Sequence, residues 1–333
     1  MNHTAPLKND WVEVTKACAT GLLVAFVFLL VSCAPPTPSP NELPYRSHVP
    51  VIYNQGYRVA QHGVGVPYEH TDLLPTLMYS NTQQTDSPRL EGKEFFVVDW
   101  WLDCSRHDTN GYLYIPMAWG EWNDRLLLCN DGRPLLVLNE PEHQDQANLT
   151  PEKAAEVWRT ALEKWTGDVY CCGVMVNHLG YMKKIYDAYV VNYGPLPARA
   201  RSHAHMYALD SEGKWTGATQ PIDAERAIEH LDDYTAWARS VGLLDGGLIL
   251  SEYGALDSGP APEQLVPLMQ TFEDALQSRY PDDVQAWAWF SINSDGLGGN
   301  SFSSSNLVAY EAKRTPLGDL WRKNLTLQNY WTK

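Results

Sequence analysis

The chain has 333 residues, of which 44% are hydrophobic and 20% are charged, and this balance excludes a wholly disordered protein. Its net charge of −15 argues against a nucleic-acid partner and against docking on an anionic membrane surface. Thirteen tryptophans are more than an average composition provides. They suit a large core, and they also suit a protein that stacks on flat uncharged ligands such as sugar rings.

The first 32 residues have the pattern of a signal peptide. Lys8 and Lys16 precede an apolar run over residues 17–31, which is shorter than the roughly twenty residues a transmembrane helix needs. The following "LVSC" resembles a bacterial lipoprotein box, in which a small residue precedes an acylated cysteine. We therefore expect residues 1–32 to be a lipoprotein signal peptide and Cys33 to carry the lipid.

This leader predicts an extracytoplasmic protein, at the bacterial cell surface or in the periplasm, that meets the membrane only through its N-terminal lipid. An uncleaved signal anchor and cleavage without lipidation are the alternatives, and both also place the chain outside the cytoplasm. Residues 33–44 are rich in proline, which predicts a stiff, extended linker.

Four cysteines remain in the body of the chain, and an oxidising compartment allows them to form disulfides. Cys104 and Cys129 each follow a predicted strand in neighbouring units, so we expect these two to pair. Cys171 and Cys172 are adjacent on a predicted strand. Side chains alternate along a strand, so we expect these two to be poor partners for each other.

Seven continuous apolar runs follow residue 90, as expected for parallel strands that are buried on both faces. Residues 91–333 are therefore predicted to form the main domain. An eighth strand is expected upstream, near residues 49–53 or 75–80, within an N-terminal extension over residues 45–90. The seven runs are EFFVVDWW, YLYIPMAW, LLVLNE, CGVMVNH, SHAHMYA, GLILSEY and QAWAWFSI.

Amphipathic helical patterns separate these runs. One begins after Thr150, a good N-cap residue, and its apolar stripe includes Trp158 and Trp165, which we predict to be core. Others are predicted over residues 222–241 and 262–279. Strands that alternate with helices predict an α/β fold, most naturally a (β/α)8 TIM barrel, with a doubly wound open sheet as the alternative.

Polar and aromatic residues stand where the predicted strands end, and active sites of such barrels lie at those ends. Two glutamates are among them, Glu140 and Glu252, on the fourth and seventh strands. Two carboxyl groups at one rim are what glycoside hydrolysis requires. The other candidates at this rim are Trp119, Asn139, Asn177, His205, Tyr207 and Trp289.

The motifs LNEP, HAHMY, SEYG and WAWF resemble those of the retaining glycoside hydrolases of clan A, which are (β/α)8 barrels. YIPMAWG and NLTPEKAAEVW look most similar to the glycosyl hydrolase catalytic-core group, which includes endo-β-1,3-glucanases. The resemblance implies that Glu140 is the acid/base and Glu252 the nucleophile. It further implies that Tyr207 hydrogen-bonds the nucleophile and that Trp289 forms the floor of the sugar site.

The sequence thus predicts a retaining hydrolase of β-linked polysaccharide, with a β-glucan selected only by the family likeness. Asn139 is expected to donate to the sugar 2-hydroxyl. Pro141 is expected to stop the strand and to favour extended backbone at Glu140. Trp119, Asn177 and His205 are predicted to contact the substrate, and no cofactor is expected.

Two other functions fit the same residues less well. The chain could be a surface lipoprotein that binds glycans on the same barrel without cutting them. His203 and His205 share one face of a strand and suggest a metal pair, but no further ligand has suitable spacing and catalytic zinc needs three protein ligands. We therefore predict no metal.

Overall fold

The computed structural model describes residues 62–65, 96–99, 113–208, 224–255, 262–294, 303–309 and 313–331. The predicted signal peptide, the lipidation site Cys33 and the proline-rich linker lie outside these residues, as does Cys104. None of the helices within the described ranges is both long and apolar enough to span a membrane.

Eight parallel strands form a closed barrel in which each strand pairs with its neighbours along the chain. The first strand also pairs with the eighth, Gly63 opposite Ala288, and this pairing closes the barrel. The strands are β1 His62–Gly65, β2 Phe96–Asp99, β3 Leu113–Ala118, β4 Leu135–Val137, β5 Val169–Met175, β6 Ala200–Tyr207, β7 Leu248–Gly254 and β8 Val284–Trp289. Two short antiparallel strands, β9 Val308–Ala309 and β10 Lys313–Arg314, form a separate small sheet.

The seven predicted strands are confirmed, but the predicted positions of the first strand were wrong. It lies at His62–Gly65, between the two ranges expected from hydrophobicity. The segment reads HGVG and has no apolar run to mark it. Its place is set by backbone pairing with β2 and β8 instead.

Five α-helices are described, and they follow the fourth to eighth strands. They are α1 Pro151–Lys164, α2 Leu179–Tyr193, α3 Ala224–Ser240, α4 Val266–Arg279 and α5 Pro316–Trp331. Thr150 caps α1 as predicted, because its hydroxyl accepts the Lys153 N–H at 3.3 Å. Trp158 and Trp165 are buried in the core, as the helical stripe predicted.

Two apolar layers hold the barrel together. Within the barrel, alternate residues such as Ile115 and Met117 on β3 and Ala286 and Ala288 on β8 pack against one another. A larger core lies between the outer faces of the strands and the helices. This arrangement leaves the polar residues at the carboxyl ends of the strands on one rim.

The prediction that Cys171 and Cys172 do not pair was wrong, because the structure joins them in a disulfide. The pairing of β5 with β6 is irregular between Cys172 and Val174, so the alternation of a regular strand does not hold here. Cys129 is also disulfide-bonded. Since Cys104 lies outside the described residues, the pairing of Cys104 with Cys129 stays a prediction.

Candidate active site

Glu140 and Glu252 face each other across the rim of the barrel, although 112 positions separate them in the chain. Oxygens of both carboxylates and a ring nitrogen of His205 all lie within 4.8 Å of one another, and all three residues are buried. Glu140 follows β4, Glu252 lies on β7, and His205 lies on β6 directly opposite Glu252. The closed barrel therefore brings the two acids together.

His205 lies between the two carboxylates. Its Nδ1 is 2.9 Å from Oε1 of Glu140 and 3.4 Å from Oε2 of Glu252. Burial alone would lower the pKa of this imidazole, but the charge of Glu252 and the hydrogen bond and charge of Glu140 outweigh it and raise the pKa of His205 above its usual 6.5. The ring thus carries a proton that both acids attract.

Tyr207 lies next to His205 on the same face of β6 and donates a hydrogen bond to Oε2 of Glu252. Burial raises the pKa of its phenol well above the ordinary value of 10, and the charges of Glu252 and Glu140 raise it further. Tyr207 therefore keeps its O–H at any working pH and remains a donor to the carboxylate of Glu252.

The backbone around Glu140 differs from the expectation. Pro141 was predicted to hold Glu140 in an extended conformation, but Glu140 has a φ of 43° and Leu138 a φ of 71°. Both are in the left-handed region that non-glycine residues adopt at a cost. Contacts with the rim hold them there, since the Glu140 N–H donates to the Gly173 carbonyl at 3.2 Å.

Asn139 is buried beside Glu140, and its Nδ2 donates to Oε1 of Gln146 at 3.1 Å. Its Oδ1 has no hydrogen-bond partner in the described part of the chain. Turning both amides over keeps their mutual bond and places the Asn139 NH2 at that open position. Asn139 can therefore offer a donor to a ligand, and its predicted contact with a sugar hydroxyl stays a prediction.

Trp119 and Asn177 also lie at this rim, at the ends of β3 and β5, and both are partly buried. The Trp119 carbonyl accepts the Asn139 N–H at 2.9 Å, which ties the end of β3 to the loop after β4. Oδ1 of Asn177 is buried and finds no partner among the residues described. Both stay predicted substrate contacts.

Trp289 has no exposed surface, although a sugar floor was expected there. Its indole N–H donates to the Ser305 carbonyl at 2.7 Å, and its ring packs edge-on against Tyr253 with centroids 5.1 Å apart. The next residue, Phe290, is 9% exposed and its ring lies 6.1 Å from that of Tyr207. Phe290 is thus the aromatic residue at the end of β8 that lies beside Tyr207.

Sequence reasoning also missed Glu142, two residues after Glu140. Its Oε1 accepts the Met175 N–H at 2.9 Å and lies 3.3 Å from Nδ1 of His178. The hydrogen bond to Glu142 raises the pKa of His178, while burial opposes the shift. Glu142 therefore fastens the loop that carries Glu140 to the end of β5, and its position within NEPEH was the available signal.

The suggested metal pair on β6 is not what the two histidines form. Both ring nitrogens of His203 are engaged, with the Val137 carbonyl at 2.9 Å and with Oγ of Ser251 at 2.8 Å. Among the described residues, one group has donor atoms close enough to hold a metal ion, and it consists of Glu140, His205 and Glu252. Two of these three groups are the pair of carboxyl groups that glycoside hydrolysis requires.

The fold is similar to that of several solved structures. The chain is similar in structure to a GH128 subgroup I endo-β-1,3-glucanase from Amycolatopsis mediterranei in complex with laminaritriose, with 16% identity, a TM-score of 0.57, and coverage of 79% of this chain and 99% of that one. A GH128 subgroup II endo-β-1,3-glucanase from Sorangium cellulosum has 20% identity, a TM-score of 0.53 and coverage of 79% and 97%.

A GH128 subgroup III curdlan-specific exo-β-1,3-glucanase from Blastomyces gilchristii is 17% identical, with a TM-score of 0.54 and coverage of 78% and 97%. No curated protein matches the sequence. The family model of the glycosyl hydrolase catalytic core matches residues 77–321, which is most of the chain and includes both glutamates. The chain therefore belongs to the glycosyl hydrolase catalytic core family.

Proposed function

We propose that this glycoside hydrolase cleaves β-1,3-linked glucan with retention of configuration, with Glu252 as the nucleophile and Glu140 as the acid/base. The observation that supports this most is the close approach of the two carboxylates, whose oxygens lie within 4.8 Å. Retaining enzymes hold their two carboxyl groups about 5–5.5 Å apart, whereas inverting enzymes leave about 6.5–9.5 Å for a water molecule.

The surroundings of the two acids support the assignment of their roles. A nucleophile must be ionised, and Glu252 accepts a hydrogen bond from Tyr207 and lies beside the protonated ring of His205. An acid must have a proton to give. Nδ1 of His205 lies 2.9 Å from Oε1 of Glu140, so the ring can transfer its proton to Glu140, which then delivers it to the leaving oxygen.

The reaction proceeds in two displacements. In the first, a carboxylate oxygen of Glu252 attacks the anomeric carbon, the glycosidic C–O bond breaks, and the leaving oxygen takes the proton of Glu140. In the second, Glu140 removes a proton from water, the hydroxide oxygen attacks the same carbon, and the bond to Glu252 breaks. Esterification removes the charge of Glu252 in between, so the Glu140 carboxylate formed in the first step no longer lies next to a second negative charge and is available to accept a proton from water.

The substrate is inferred from the structurally similar enzymes. Those from Amycolatopsis, Sorangium and Blastomyces are named as β-1,3-glucanases, and Amycolatopsis variants with a substituted glutamate hold laminarihexaose or laminaritriose and laminaribiose. Trp119, Phe290 and the amides of Asn139 and Asn177 provide a rim of aromatic and polar groups, which suits a sugar.

A 2-deoxy-2-fluoro laminaribioside with an activated leaving group tests the proposal. The fluorine slows the second displacement, so the covalent intermediate accumulates, and mass spectrometry of the digested protein should find the sugar on Glu252. Glu140→Ala should lower the turnover of laminarin by about 10²–10⁴-fold, and azide should restore its turnover of a glycoside whose leaving group needs no proton. An unlabelled wild-type protein that still binds laminari-oligosaccharides would instead indicate a non-catalytic glycan-binding protein.

We also propose that the enzyme is an extracytoplasmic lipoprotein attached through Cys33. The leader sequence supports this, and so does the disulfide between Cys171 and Cys172, because disulfides persist in oxidising compartments. Expressed in a bacterium, the wild-type chain should partition with membranes and incorporate labelled palmitate, whereas Cys33→Ser should do neither. Equal labelling of both chains would exclude this site.

A further inference from the structure

His203 lies on β6, two residues before His205. Its side chain bonds one residue of β7, which pairs with β6, and one residue of β4, which does not. Its Nε2 is 2.9 Å from the carbonyl oxygen of Val137, the last residue of β4, and its Nδ1 is 2.8 Å from Oγ of Ser251 on β7. The ring is fully buried and its centroid is 6.3 Å from that of His205. It therefore spans the barrel from β4 to β7.

The protonation state of His203 is fixed by these partners. Burial, opposed only by the bond to Val137, lowers the pKa of His203 to about 3, with the charge of His205 adding to the shift. The ring is therefore neutral and has one N–H. A carbonyl oxygen can only accept, so Nε2 carries the hydrogen and the hydroxyl of Ser251 donates to Nδ1.

β5, which lies between β4 and β6, leaves space at Gly173 for the imidazole ring of His203. Gly173 on β5 has a φ of 63° and lies at an irregularity in the pairing of β5 with β6. A Cβ at this position would lie 2.9 Å from Cε1 of His203 and 2.7 Å from the Leu138 carbonyl oxygen. The absence of a side chain at Gly173 is what lets the imidazole reach the end of β4.

Both ends of this connection lie next to a catalytic glutamate. Val137 is three residues before Glu140, and Ser251 directly precedes Glu252. The pairing of β7 with β8 is irregular between Leu250 and Tyr253, so Ser251 and Glu252 both contact side chains of β6 despite being neighbours on a strand. The rigid imidazole ring thus connects the Val137 carbonyl to the Ser251 hydroxyl, and each of these residues is close in sequence to one of the two acids.

We infer that His203 is a positioning residue that sets the separation of Glu140 and Glu252. This inference rests on the proposed two-carboxylate mechanism and assigns no contact with the substrate to His203. Catalytic groups must be held to about 0.5 Å, and a misplacement of about 1 Å can cost about a hundredfold in rate. A neutral, doubly hydrogen-bonded ring meets this demand better than a flexible side chain does.

The dependence of the hydrolysis rate on the leaving group distinguishes a residue that positions the two acids from one that only stabilises the fold. An activated dinitrophenyl group departs without a proton and depends on Glu252 alone, whereas a sugar leaving group needs both acids at the correct distance. We expect Ser251→Ala and His203→Phe to slow hydrolysis of laminari-oligosaccharides by about tenfold to a hundredfold more than hydrolysis of the dinitrophenyl laminaribioside. His203→Gln, which keeps a donor and an acceptor, should recover part of the difference.

Ser202→Ala is the matched control, because the Ser202 hydroxyl is equally buried but bonds Tyr234 on the outer helix α3 at 2.7 Å. It should lower the melting temperature without changing the ratio of the two rates. Titration of active sites with the fluorinated inhibitor corrects each rate for misfolded protein. Equal rate ratios in Ser251→Ala, His203→Phe and Ser202→Ala would overturn the inference, whereas a wild-type protein without turnover would refute the proposed function instead.

Discussion

Nδ1 of His205 lies 2.9 Å from Oε1 of Glu140, and it also approaches Oε2 of Glu252 to 3.4 Å. One ring nitrogen therefore serves both acids of the site. Two buried carboxylates at this distance would repel each other if nothing lay between them. A proton on Nδ1 of His205 lies between the two carboxylates and offsets that repulsion, which allows Glu140 and Glu252 to be buried side by side.

The stability that His205 contributes should depend on pH. Its pKa in the folded protein is raised above 6.5, so its stabilising effect is complete below pH 6.5 and is lost as the pH rises through the folded-state pKa. The free energy of unfolding of the wild type should exceed that of His205→Gln by more at about pH 5.5 than at about pH 9. Urea unfolding at both values measures this.

His230→Gln on the outer helix α3 is the control for a general effect of removing an imidazole. The difference in the free energy of unfolding between the wild type and His230→Gln should not show the decrease with rising pH that is expected for His205→Gln. If the difference in the free energy of unfolding between the wild type and His205→Gln stays constant or grows as the pH rises, the two glutamates do not hold the ring protonated.

Tyr207→Phe should impair the nucleophile without moving the backbone. A hydrogen bond to a charged group contributes about 1.5–3 kcal/mol, so kcat/KM should fall by about tenfold to a hundredfold. A carboxylate that loses a donor is protonated more readily, so the acidic limb of the pH–rate profile should move to higher pH. Tyr234→Phe, which removes a buried phenol hydroxyl on α3, should leave the profile in place.

Gly173→Ala should be among the most damaging small substitutions. The positive φ costs a residue with a side chain about 1–3 kcal/mol, and the new methyl group would collide with His203 and the Leu138 carbonyl. Gly180→Ala on α2 has nothing within 4 Å of the new Cβ and should be neutral or stabilising by up to about 1 kcal/mol. Thermal unfolding of the pair checks the contrast, and equal stability of the two variants would contradict it.

Trp119 and Trp289 should respond differently to truncation. Trp289 is fully buried, so Trp289→Ala should cost about 3–5 kcal/mol of folding free energy. Trp119 is partly exposed at the rim, so Trp119→Ala should raise KM for laminari-oligosaccharides with a smaller change in melting temperature. A larger loss of stability for Trp119→Ala than for Trp289→Ala would contradict the positions of the two rings.

The sequence predicts those strands of the barrel whose burial produces a continuous run of apolar residues. Strands such as β4 and β7, buried along their whole length, read as continuous apolar runs, and their ends locate Glu140 and Glu252 at one rim. The first strand, HGVG, has no such run. Its position depends on the strands that pair with it, and no local pattern encodes that.

Local rules failed where tertiary contacts determine the backbone. The residue before a proline favours extended geometry, yet Glu140 has a positive φ because its N–H bonds Gly173 on the next strand. Likewise, Ser251 and Glu252 are neighbours on β7 and yet both contact side chains of β6, because the pairing of β7 with the strands beside it is irregular there. Such departures concentrate at the site, as expected where function constrains the chain.

The stereochemistry of the first-formed product distinguishes a covalent, retaining mechanism from an inverting one. One oxygen of Glu140 lies within 4.8 Å of one oxygen of Glu252, a closer approach than the carboxyl separation of inverting enzymes, so the enzyme should act through a covalent intermediate. Proton NMR of laminarihexaose during the first minutes of hydrolysis, before the anomers equilibrate, should show new reducing ends in the β configuration. New reducing ends in the α configuration would contradict the account.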